Sequence, residues 1–148
     1  MLLRHACGER VTAEEVVAMP QGEFDAWWPD LEGLREVLAM EAVSAAYVAS
    51  FGHKLVIRAF LKRAGLATSF KGIITPSDFE GCADGCVMPD HKNTMLRTVI
   101  ELERERILFF DDTPGNLEAA NKEFPGVVHA HFAKPFTKAV FDDATRSD

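Results

Sequence analysis

Apolar positions along this chain recur in two rhythms. In HKLVIRAFLKRAG, Leu55, Val56, Ala59 and Phe60 form a stripe opposite Lys54, Arg58 and Lys62, the spacing of an amphipathic helix that Gly65 stops. The same rhythm predicts a helix after Pro29 and Asp30, through Leu31, Leu34, Val37 and Leu38, and another over 93–105, through Met95, Leu96, Val99, Ile100 and Leu102. Further helices are expected at 13–19, where Thr12 and Glu15 have capping-box spacing and Pro20 closes the run, at NLEAANKEF and at KAVFDDA. Between them lie apolar runs too short for helices: AAYVAS at 45–50, GIIT at 72–75, RILFF at 106–110 and VVHAH at 127–131. Strands that alternate with helices predict an α/β fold, a Rossmann-like parallel sheet with helices on both faces.

The 148 residues, 47% of them apolar, suffice for one core. The expected organisation is an N-terminal helical segment over 1–28, an α/β domain over 29–141 and a polar, frayed tail over 142–148. With 23 Asp and Glu against 16 Lys and Arg, the net charge of -7 repels nucleic acid, and no basic run offsets it. The absence of a long apolar stretch or a signal-peptide pattern predicts a soluble, cytoplasmic protein with no membrane partner. Cys7, Cys82 and Cys86 are read as free thiols, because their number is odd and no secretory signal precedes them. Cys82, Cys86 and His91 offer only three of the four ligands a structural zinc needs, so a Gly-rich loop is the preferred reading there.

Ligands of open parallel sheets gather beyond the carboxyl ends of the strands, where loops and helix N-termini converge. Three such ends carry suitable groups here: Ser50 after the first strand, Lys92 in the long connection PSDFEGCADGCVMPDHK after the second, and Asp111, Asp112, Thr113 and Asn116 after the third. A hydroxyl and an ammonium suit phosphate oxygens, and paired carboxylates suit Mg²⁺ in a shell completed by water. Each has a plainer role: Ser50 could cap the helix near His53, Lys92 could be a solvated lysine, and Asp111 and Asp112 could serve a helix dipole.

The order VASFG, PDHK and ILFFDDTPGN, over about 29–132, resembles motifs II, III and IV of the haloacid dehalogenase-like superfamily, in particular its magnesium-dependent phosphatase branch. That resemblance implies that Ser50 hydrogen-bonds a transferring phosphoryl oxygen and Lys92 neutralises it. Asp112 would bind Mg²⁺, Asp111 would support it or its waters, and Asn116 would orient the loop or the metal shell. The substrate would be a small phosphoester or a phosphorylated protein side chain.

The superfamily's first motif, a strand ending in D-x-D that supplies the nucleophile and the acid, is not in this sequence. Glu23 and Asp25 in QGEFDAWW are its nearest counterpart upstream of Ser50, but no apolar strand precedes them and MPQG reads as a turn. In the resembled fold that strand lies between those of Ser50 and Asp111, so its absence leaves two open edges. The expectation is therefore either a truncated phosphatase chain or a catalytically inactive, phosphatase-like binding protein. A receiver-like domain fits less well, since its acid pair precedes the other motifs. Trp27 and Trp28 are read as core anchors, His53 as a surface residue of a helix's first turn, His91 as a possible neighbour of substrate, and His129 and His131 as strand residues sharing one face. The loop from Pro76 to Lys92 is where substrate selectivity would reside. Substrate identity and oligomeric state are left open.

Overall fold

The structure is a computed structural model that describes residues 11–147; Cys7 and the start of the expected N-terminal segment lie outside them. In chain order the elements are α1 (Ala13–Ala18), α2 (Gln21–Ala26), α3 (Leu31–Ala39), β1 (Tyr47–Ala49), α4 (Lys54–Arg63), β2 (Gly72–Ile74), a 3₁₀ turn (Pro76–Asp78), α5 (Asn93–Glu103), β3 (Ile107–Asp111), α6 (Pro114–Glu123), β4 (Val128–Phe132) and α7 (Lys138–Ser147). The architecture is mixed helix and strand with parallel strand pairs, as the alternating pattern predicts.

The strands form two separate pairs. β1 lies parallel to β2 with Val48 opposite Ile73, and β3 lies parallel to β4 with Phe109 opposite Ala130. Among the described residues no strand joins β1 to β3. Strand side chains alternate between two helical layers. Val48, Leu108 and Phe110 face a cluster built with α1 to α4 and α7, whereas Tyr47, Ala49, Ile107 and Phe109 face clusters built on α5 and α6.

Local signals explain most boundaries. Thr12 caps α1, its Oγ1 accepting the Glu15 N–H at 3.1 Å. Asp30 caps α3 through the Gly33 N–H at 3.1 Å, and its other carboxylate oxygen accepts the Lys138 N–H at 2.9 Å, which ties α7 to α3. Residue 33 must be glycine, because a Cβ there would stand 2.0 Å from Asp30 Oδ2. Arg104, with φ 55°, ends α5 in the left-handed region, two residues before the pattern's predicted end.

Four expectations need correction. Gln21 and Gly22 of the expected MPQG turn instead begin a helix, QGEFDA, because Phe24 docks against Phe60, ring centroids 6.1 Å apart, and Arg63 stacks over Phe24 at 4.4 Å. The α4 stripe is rotated by about one residue: Val56, Ile57, Phe60 and Leu61 are buried, whereas Leu55 is 69% exposed. Residues 142–147 continue α7, with Ala144 buried, so they form no frayed tail. Finally, Val16, Phe24 and Trp28 belong to the same core as α4, so the described part of 1–28 is not a separate segment. Trp28 is buried there, and Trp27 packs on Phe60 at 5.5 Å, as read from the sequence.

Candidate functional site

The carboxyl ends of β1 and β3 meet at Lys92. Its Nζ lies 2.6 Å from Asp111 Oδ2, the last residue of β3, and 5.5 Å from the centre of the Phe51 ring, just beyond β1. Ser50, Lys92, Asp111 and Asn116 are all buried. Burial of four polar side chains at one strand rim is costly unless they satisfy one another. Much of that satisfaction is visible in Asp111. Its second oxygen accepts the Thr113 N–H at 2.8 Å and the Asn116 amide Nδ2 at 3.3 Å.

Burial pushes the Asp111 carboxyl upward, but the charge and hydrogen bond of Lys92 and the Thr113 N–H outweigh it, so its pKa lies below the ordinary aspartate value. Asp111 is therefore an ionised anchor for the ammonium and for the start of α6. A plain capping role is not sufficient, since the carboxylate also holds a buried cation. Asp112 is half-buried, with Oδ1 3.4 Å from Thr113 Oγ1. Ser50 does not cap α4; its Oγ accepts the Gly52 N–H at 3.0 Å, which shapes the turn after β1, and the α4 cap position is His53.

The long connection after β2 folds back over this rim. Asp84 Oδ2 accepts the Lys54 N–H at 3.1 Å and Oδ1 the Ser77 N–H at 2.9 Å, so one carboxylate staples the loop to the first turn of α4. Burial again opposes the charge, and these N–H donors overcome it to hold the Asp84 pKa low. Lys54 and Asp78 form an ion pair beside it. His53 flanks Gly85, whose missing Cβ would sit 3.1 Å from the ring, and His91, with φ 60°, flanks Gly115 in the same way. Thus His91 stands next to the loop that leads from Asp111 to Asn116, and both histidines are exposed. His131 lies instead within β4, stacked on Phe110 at 5.6 Å.

Sequence reading missed Phe51 and Asp84. The signal for Phe51 was its place in VASFG next to Ser50; a carboxylate inside the Gly-rich loop carries no comparable mark. Glu23 and Asp25 lie in α2, in the layer of α1 and α4, and among the described residues no hydrogen bond or ion pair links them to Lys92. Among the described residues, no three His, Cys, Asp or Glu side chains stand close enough to hold a metal by themselves. The carboxylates Asp111 and Asp112 nevertheless supply hard oxygens of the kind Mg²⁺ takes when water and phosphate complete its shell. Comparison with protein-family models, curated proteins and solved structures returns no match to this chain.

Proposed function

We propose that this chain is a phosphatase-type domain of the haloacid dehalogenase-like kind, whose rim binds a phosphoryl group together with Mg²⁺. The observation that supports the reading most is the buried Lys92–Asp111 pair at the junction of two strand ends. A cation held there by an ionised partner is preorganised to meet an oxyanion. Lysine carries three N–H donors and Asp111 takes one, so Lys92 can also donate to a phosphoryl oxygen. Ser50, oriented by the Gly52 N–H, would donate its hydroxyl to a second oxygen. Asp112 would hold the metal, with Asp111 and Asn116 fixing the loop on which it sits. Mg²⁺, when bound, offsets phosphate charge and polarises the P–O bond.

Hydrolysis through an aspartyl-phosphate requires a carboxylate nucleophile, and Asp111 is committed to Lys92. The sequence contains no D-x-D, which favours a second reading, a phosphate-binding protein without turnover.

Two measurements separate these. Inorganic phosphate with Mg²⁺ should raise the melting temperature, and Asp112→Asn should remove the Mg²⁺-dependent part of that rise. No shift at millimolar concentrations of both would sink either reading. Turnover of p-nitrophenyl phosphate that Asp112→Asn abolishes would select the enzyme; binding without turnover would select the binding protein.

A further inference from the structure

β4 forms an outer edge of the fold. A cleft lined by Tyr47–Ala49 and Ile107–Phe110 separates β1 from β3, so β4 lies on the far side of β3, and among the described residues no strand lies beyond it. The Val127 carbonyl and the Ala133 N–H bond toward β3, so the main-chain groups of residues 127, 129, 131 and 133 serve that ladder. Those of the alternate residues Val128, Ala130 and Phe132 turn outward. The Val128 N–H is met by the Phe124 carbonyl at 3.0 Å, whereas the Val128 carbonyl and both groups of Ala130 and Phe132 have no main-chain partner among the described residues.

The two outer edges differ in how they are guarded. Sheet edges are kept from pairing by shortness, lysine or proline. β2 is three residues long and follows directly on Lys71. β4 is five residues long, and no Asp, Glu, Lys, Arg or Pro occurs from Gly126 to Ala133. Phe132 stands 56% exposed on it, and Ala130, two residues away on the same face, is small and only half-buried.

We infer that β4 pairs antiparallel with β4 of a second copy of this chain, about a twofold axis through Ala130. The free groups fix the register: the Ala130 residues exchange N–H and carbonyl with each other, and each Phe132 N–H donates to the Val128 carbonyl of the other copy. Each Phe132 ring then lies across from Val128 and diagonally over Ala130 of the other copy, so the strand's large exposed residue covers its small open one on both sides of the axis. That self-complementarity selects a second copy over an unrelated strand. Charge agrees with it. The chain carries a net charge of -7, yet two copies meet here without a carboxylate on either strand. The exposed Lys134 of each comes opposite Gly126 of the other, just past the C-terminal end of α6 and its partial negative charge. One strand pair makes a small interface, so the dimer is weak, with a Kd of about 10–100 μM. This inference stands independently of the phosphate reading.

The test is sedimentation equilibrium of the full chain from about 5 μM to 1 mM, which should show monomer and dimer in exchange. Phe132→Lys should weaken the dimer at least tenfold and leave the melting temperature of the dilute monomer unchanged, since the ring is mostly exposed there. Ala130→Pro removes an outward N–H and none that serves β3, so it should also abolish dimerisation; if that variant fails to fold, Phe132→Lys decides. Amide exchange at Ala130 and Phe132 should slow as concentration rises, while His129 and His131, already in the ladder, stay unchanged. A monomer throughout the range overturns the proposal. So does a dimer that Phe132→Lys leaves intact, or one whose concentration-dependent protection falls at β2 rather than at Ala130 and Phe132.

Discussion

Replacement of Lys92 by methionine tests the rim most sharply, because it keeps an unbranched apolar stem and removes the ammonium, its charge and its hydrogen bond to Asp111. The ammonium and carboxylate are 2.6 Å apart, with side chains 5% and 1% exposed, so water shares little of either charge. Breaking a buried pair from one side costs about 3–5 kcal/mol, since the remaining charge is left uncompensated. Asp111 keeps the Thr113 N–H and the Asn116 amide, which places Lys92→Met near the lower end, at about 3 kcal/mol at pH 7. The pH dependence carries the sign. In the parent protein the Asp111 pKa is depressed, so its contribution is present above its unfolded value and lost as pH falls through the lower folded value. Without Lys92 the burial that opposes ionisation takes over, the folded pKa rises above the unfolded one, and protonation relieves the variant. Its deficit should therefore shrink between pH 7 and about pH 4.5. Urea unfolding followed through Trp27 and Trp28 gives both numbers, provided the denaturant slope is unchanged. The double variant Lys92→Met/Asp111→Leu should recover much of the loss, because neither charge then remains buried. A deficit below about 1 kcal/mol at pH 7, or one that does not vary with pH, would refute the argument.

Three further outcomes are expected. Arg63 donates to the carbonyls of Val16, at 2.8 Å, and Met19 while stacking on Phe24, so Arg63→Ala should cost about 2 kcal/mol, and Arg63→Lys should restore little of it, as urea midpoints will show. Tyr47, the one tyrosine of the sequence, has its pKa raised by burial and by Glu103; phenolate absorbance should show its midpoint falling toward the ordinary value in Glu103→Gln. Because the Asp84 pKa is held low, the staple it makes should persist above the ordinary aspartate range and be lost as pH falls through the folded value. Asp84→Ala should release it at every pH, seen as faster amide exchange at Ser77 and Lys54.

The alternation of helix and strand was legible because each element has its own period, and because Thr12, Asp30 and Gly65 mark ends by local chemistry. The clustering of Lys92, Asp111 and Asn116 was legible for a different reason: parallel strands bring their carboxyl ends to one rim whatever lies between them. What escaped depends on contacts distant in sequence. In QGEFDA only Phe24 is buried, and a single apolar residue gives no period; the helix forms because Phe60 and Arg63 receive that ring. Leu55 and Ile57 are alike in composition, and only the direction from which α1 approaches α4 decides that Ile57 is buried and Leu55 exposed. The carboxylate of Asp84 looks like loop solvation until the two N–H groups it accepts are seen.

The two strand pairs also show how, among the described residues, strand ends that share no ladder come to form one rim. A sheet normally holds its strand ends in register through the ladder between them, and no ladder links β1 to β3 among the described residues. Polar contacts take over that task. At the start of the strands, Glu103 gathers Tyr47 from β1 and Lys71 from the residue before β2, at 2.6 Å each, and so ties that pair to the end of α5. Glu105, just before β3, reaches back to Ser44, just before β1. At the finish, Lys92 lies over Phe51 and bonds Asp111. Exposed contacts of the first kind contribute little individually, whereas the buried pair at the rim has no water to replace it. Lys92 is thus a buried polar tie that adds to the apolar cores the two halves share, and under the function we propose the residue that would meet a phosphoryl oxygen also helps to hold the strands that present it.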